Sequence, residues 1–190
     1  MNLSAWITQL SQLVAASQQQ LGLTLEIVGL LWLIQCANLF LGYRLNILGI
    51  WPRKLRGLPG IIFSPFLHGG FDHLFFNSVP LLILVNLLLL YGWHTFVWLT
   101  LLIMLLSGSA TWLFARPGIH VGASAVLMGY WGFLLMQSVF QPSVMSVIVA
   151  LLCFYYLGSL WLNLFPQGQG VSWEGHVFGC AAGVAGAFIF

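Results

Sequence analysis

Pro80-Leu81-Leu82-Ile83-Leu84-Val85-Asn86-Leu87-Leu88-Leu89-Leu90 carries a single polar side chain, Asn86. A strand of a membrane barrel alternates apolar and polar side chains in segments of about ten residues. This run shows no alternation, so it reads as helix that is apolar all round. Comparable runs recur throughout the chain, which is 61% hydrophobic and 4% charged. A water-soluble domain carries about 25% charged residues, so lipid must be the main solvent here. A spanning helix needs about 20 mostly apolar residues. The 190 residues are therefore expected to hold six spans joined by short loops, leaving no room for a separate soluble domain. The expected fold class is all-α, a polytopic membrane bundle of six transmembrane helices.

Working outward from that run, the second span is expected near 74–91, and the others near 23–42, 94–115, 122–140, 143–165 and 173–190. Gly92-Trp93-His94, Arg116-Pro117-Gly118, Gln141-Pro142 and Pro166-Gln167-Gly168-Gln169-Gly170 supply the breaks. Residues 1–22 are expected to be a separate N-terminal segment, and 23–190 the six-span membrane domain. Leu3, Trp6, Ile7, Leu10, Leu13 and Val14 recur at helical spacing among serines and glutamines, the pattern of an amphipathic helix lying at the membrane surface. Without a positive n-region, this segment does not read as a cleaved signal peptide. Glu26 lies inside the first span, near its end, and would be costly if placed deep in lipid. The stretch 43–73 mixes Arg44, Arg53, Lys54 and Arg56 with three prolines and with Trp51, Ile61, Ile62, Phe63 and Phe66. It reads as a long loop of short helices dipping into the membrane face.

A net charge of +2 gives no footprint for nucleic acid. Cys36, Cys153 and Cys180 lie in apolar runs and read as small packing residues. No cysteine–histidine cluster has metal spacing, so neither a metal nor an organic cofactor is implied.

Polar side chains inside spans need partners, a water-filled cavity, or a function. His73 and Asn77 lie four apart on one helix face, and His68 precedes them by five residues. Taken singly, each fits interhelical hydrogen-bond glue. Gly122-Ala123-Ser124-Ala125 opens the fourth span. A serine there is commonly a cap, but the same helix end offers free N–H groups and a positive dipole end able to stabilise an oxyanion. In the sixth span Gly179, Gly183 and Ala187 form a small-residue stripe for close helix packing, and His176 stands three residues before it. A serine hydroxyl needs a base within reach, and His176 is suited to that task. Glu26, Asp72 and Glu174 are the only acids, and none is well placed to orient His176. The pattern therefore suggests a Ser–His dyad.

These residues resemble the rhomboid family of intramembrane serine proteases. His68-x4-His73-x3-Asn77, Gly122-Ala123-Ser124 and His176-x2-Gly179-x3-Gly183 occur in the family's order, and Ser172-Trp173-Glu174-Gly175-His176 has the look of its members. The resemblance implies that Ser124 attacks a peptide bond of a membrane-anchored protein while His176 takes its proton. It implies His73 and Asn77, with the Ser124 N–H, as oxyanion donors, and His68 as a support for the long loop. It further implies that segment 43–73 is the membrane-dipping first loop, that 166–172 is a mobile cap, and that span five flanks the substrate entrance. The partners implied are a transmembrane protein substrate and the lipid bilayer. The location implied is a bacterial-type inner membrane. Nothing in the sequence sets an oligomeric state.

Two positions depart from the family pattern. Ala125 stands where a glycine is usual; it is strained if that backbone is glycine-only and favourable if it is helical, and a serine that begins a span favours the second case. Met128 stands where an aromatic often packs on the histidine, which predicts a less rigid dyad and slower turnover. Family topology also puts Arg44, Arg53, Lys54, Arg56 and Arg116 on the outer face, against the positive-inside rule; the family orientation is the one expected. Two other readings compete with a protease. One is an inactive rhomboid-like protein that binds client helices. The other is a transporter or channel, disfavoured by the lack of a two-fold repeat.

Overall fold

The computed structural model describes residues 3–166 and 172–190, with side chains from residue 7 onward. The expected cap at 166–172 falls mostly outside the described residues. Among those described, the chain is all-α, with seven helices: α1 (Leu3–Phe40), α2 (Gly60–Phe63), α3 (Phe71–Leu89), α4 (Trp93–Phe114), α5 (Ser124–Phe140), α6 (Val144–Leu157) and α7 (Trp173–Gly186). The stretches Ile7–Phe40, Phe71–Leu89, Trp93–Phe114 and Val144–Leu164 are long and apolar enough to cross a membrane. The six spans expected from sequence are thus four by length and composition. The 17 residues of α5 and the 14 of α7 rise only about 25 Å and about 21 Å.

Helix α1 runs unbroken through residue 22, so its N-terminal stretch is continuous with the first expected span. No proline interrupts it, and Gly22 costs only about 1 kcal/mol in a helix interior. Its 38 residues rise about 57 Å, nearly twice a hydrocarbon core of about 30 Å. Asn86 donates to the Ser17 carbonyl at 2.9 Å, and Trp32 Nε1 donates to Ser78 Oγ at 3.0 Å, so α1 is stitched along α3. The helix stops at Gly42, whose φ of 60° suits glycine. There the Gly42 N–H bonds the Leu39 carbonyl and the Tyr43 N–H bonds the Asn38 carbonyl, a Schellman closure.

Helix α5 is the central post. Val126 through Leu134 are all buried, together with Gln137, as expected of a helix that is apolar all round. It packs on α3, α4, α6 and most extensively on α7. The outer helices turn apolar side chains outward, for example Leu151, Phe154 and Tyr155 of α6. Outward apolar faces are the surface that a lipid solvent permits.

Segment 41–70 is a braced loop of short helical turns, in keeping with its mixed composition. Arg53 Nη1 donates to the carbonyls of Leu113 and Ala115, closing the C-terminus of α4. Ile61 of α2 sits against Gly108 of α4, where a β-carbon would lie 2.9 Å from Ile61 Cγ2. Ile50 and His120 exchange backbone hydrogen bonds of 3.0 and 2.9 Å. The loop is therefore pinned to the segment that leads into α5.

Candidate active site

Ser124 is the first residue of α5, and His176 lies in the first turn of α7. Glycines bring the two helices together. A β-carbon at Gly179 would fall 2.0 Å from the Ala125 carbonyl oxygen, and one at Gly183 only 1.8 Å from that of Gly129. The backbones touch, and the two N-terminal ends meet. The Ser124 hydroxyl and His176 Nε2 are 2.9 Å apart.

The opposite nitrogen, His176 Nδ1, lies 3.0 Å from the Asn163 carbonyl oxygen. A carbonyl can only accept, so Nδ1 carries the proton and Nε2 accepts from Ser124. This places the ring in the tautomer of a general base. The Asn163 carbonyl reaches it because α6 tightens at Gly158 into a 3-10 turn running to Leu164. Nothing in the sequence foretells that contact, since a backbone carbonyl leaves no side-chain signature.

His73 and Asn77 lie on the first two turns of α3 and line the same cavity as Ser124 and His176. The Gly69 N–H donates to His73 Nδ1 at 3.4 Å, which leaves the proton on Nε2. That edge of the ring abuts Gly122, where a β-carbon would be 2.7 Å from His73 Cε1 and 2.8 Å from Nε2. With φ at 127°, Gly122 also holds a backbone conformation that only glycine adopts easily. Asn77 is buried, and its Nδ2 has no acceptor among the described residues. Both are donors free to meet negative charge in the cavity.

His68 is wholly buried outside the spanning helices. Its Nε2 accepts from the Ala123 N–H at 3.3 Å, and its own carbonyl accepts from Asn46 Nδ2 at 3.2 Å. It thus links the long loop to the residue before Ser124. Burial, and then the neighbouring His73, push its imidazole down to about 3, so it stays a neutral acceptor. The Gly122 N–H donates to the Ser64 carbonyl at 2.9 Å, a second tie between the loop and the segment leading into Ser124.

The departures resolve locally. Ala125 sits inside α5, where alanine is unstrained. Met128 is buried in the cavity wall. The orientation of His176 comes from hydrogen bonds at both nitrogens. The cavity holds about 860 Å³ and is bounded also by Arg116, His120, Leu160 and Ser172.

A family model described as the Rhomboid domain matches residues 56–190. The chain belongs to the rhomboid family. Uncharacterized proteins of Mycobacterium bovis and Mycobacterium tuberculosis are each 38% identical to it over 174 residues, covering 87% of this chain and 72% of theirs. An uncharacterized protein of Mycobacterium leprae is 34% identical over 174 residues, 87% of this chain and 69% of its own. The matched rhomboid domain takes in every cavity residue named above. Its apolar helices make this rhomboid an integral membrane protein. Sequence reasoning missed two features of its site: the Asn163 carbonyl, and the pairs that Arg116 and His120 make with Glu174 and Ser172. The latter had a faint signal, because Glu174 and Arg116 are opposite charges at the ends of apolar helices.

Proposed function

We propose that this rhomboid is an intramembrane serine endopeptidase of six spans, with α5 and α7 as the two short inner ones. It would hydrolyse peptide bonds of membrane-anchored proteins through Ser124 and His176. The observation that carries the reading is the 2.9 Å Ser124–His176 hydrogen bond, set in a cavity that His73, Asn77 and other polar side chains help to line within an apolar bundle. Ser124 Oγ attacks the scissile carbonyl carbon as its proton passes to His176 Nε2. The imidazolium is steadied by its Nδ1 bond to the Asn163 carbonyl. Charge gathering on the carbonyl oxygen is met by His73 Nε2–H, Asn77 Nδ2 and the α5 N-terminus, the preorganised donors that acyl transfer requires. His176 then protonates the leaving amine, and the ester left on Ser124 is hydrolysed by water reaching it through the cavity.

Cleavage of a single-span reporter in proteoliposomes tests this. Ser124→Ala and His176→Ala are each expected to abolish cleavage, with losses on the order of 10³-fold or more, while the protein stays folded. Full activity in either variant would sink the reading. A fluorophosphonate probe should label Ser124 in the unaltered chain. A folded but unlabelled chain would instead favour a rhomboid that binds client helices without cutting them.

A further inference from the structure

Beside the dyad, the cavity wall carries a second polar set. Arg116, in the loop that leads to Ser124, pairs with Glu174, two residues before His176. Arg116 Nε meets Glu174 Oε1 at 2.5 Å, Nη2 meets Oε2 at 3.2 Å, and the Arg116 N–H adds a 3.3 Å bond to Oε1. The pairing is bidentate, a geometry that lysine cannot reproduce. Glu174 is buried, so its carboxylate depends on this partner. Four residues along the loop, His120 Nε2 donates to the Arg116 carbonyl at 2.9 Å, which leaves Nδ1 to accept from the Ser172 hydroxyl at 2.6 Å. The His120 backbone is bridged to Ile50. Three segments therefore converge on one corner: the long loop, the 115–123 loop and the N-terminus of α7.

We propose that the Arg116–Glu174 ion pair, with the His120–Ser172 bond beside it, is a clamp that holds the nucleophile's loop against the helix of the base. Arg116 and Glu174 are on this view positioning residues for the Ser124–His176 pair. The proposal rests on the catalytic reading above. The glycine contacts at 179 and 183 fix how closely α5 and α7 approach. They lie further along α7 than His176 and do not fix the angle at its first turn. The clamp acts at that turn, within two residues of His176. Without Arg116, the buried Glu174 carboxylate is drawn toward water and carries the start of α7 with it.

Two measurements on the full chain in proteoliposomes test the clamp. In the first, Arg116→Gln and Glu174→Gln each lower kcat for reporter cleavage and the rate of fluorophosphonate labelling by about 10-fold or more, with KM changed less than about 2-fold. Arg116→Lys falls between Arg116→Gln and the unaltered chain. Unchanged kcat in both glutamine variants overturns the proposal, as does a loss confined to KM. The second needs no activity. With Cys36, Cys153 and Cys180 replaced by alanine, a His120→Cys/Ser172→Cys pair should close to a disulfide under mild oxidant. Adding Arg116→Gln should slow closure several-fold in protein that still elutes as a folded species, and equal rates overturn the clamp. If the unaltered chain neither cuts nor labels, the catalytic reading falls, and the cross-linking rate still decides whether the clamp exists.

Discussion

At Ser124 the chain has just entered α5, and the residues on either side are under opposite constraints. Gly122 precedes it with φ at 127° and the His73 ring against its α-carbon. Gly122→Ala would force a left-handed alanine and push His73 aside. Fluorophosphonate labelling of Ser124 should therefore fall by about 100-fold, with the helical circular dichroism retained. Ala125 follows it in regular helix. Ala125→Gly should lower stability by about 1 kcal/mol in thermal or denaturant titration and bring no gain in reporter cleavage. The motif's order on the chain points to Ser124, His176, His73 and Asn77, and the structure gathers them around one cavity. What the motif could not carry was the protonation pattern. The Asn163 carbonyl fixes one imidazole and the Gly69 N–H another, and backbone groups look alike in every sequence.

Between elements, the decisive contact is α5 against α7. Its small-residue stripe was legible as a four-residue recurrence at 179, 183 and 187. The partner groove, formed by Ala125, Gly129 and Gly132, was recognisable only once the helices were seen together. In Gly183→Ala the new methyl would stand 1.8 Å from the Gly129 carbonyl oxygen, so the helices must part. A loss of about 1–3 kcal/mol in detergent thermal unfolding is expected, with a fall in kcat because His176 withdraws from Ser124. An unchanged melting temperature would show that the contact yields without cost. The same scale explains the continuous N-terminal helix. Amphipathic spacing marks a helix, but helical spacing alone does not say where one helix ends and the next begins. Without a proline or a cap near residue 22, nothing ends α1 before Gly42.

Across the whole molecule, two properties follow from where the polar groups are stored. His68 is buried between the long loop and the segment leading into Ser124, with its imidazole held at about 3 rather than the ordinary 6.5. A depressed value means that the folded state refuses a proton which the unfolded state accepts. Stability is then full above about pH 6.5 and is lost as pH falls toward about 3, by up to about 1.4 kcal/mol per unit. Denaturant titrations across that range should show the slope, and His68→Gln, which cannot take up the proton, should flatten it. The second property is orientation. Arg53 closes α4, Arg56 lies 3.7 Å above the Trp51 ring and Arg116 holds Glu174, so these charges serve the fold as well as topology. That favours the outward-facing loops of the family arrangement despite the positive-inside rule. Single cysteines at positions 166–172 should then react with an impermeant maleimide outside intact cells; reaction only after the cells are opened would reverse the orientation. By itself the sequence determined the solvent and the helical class, and it named Ser124, His176, His73 and Asn77 as the candidate site. Those follow from composition, hydrophobic continuity and residue type, which are local properties. Tertiary structure alone decided the length of α1, the tautomers of four histidines and the pairing of Arg116 with Glu174. Those depend on groups far apart in the chain, many of them backbone atoms, which become neighbours only when the glycine-lined helices close on one another.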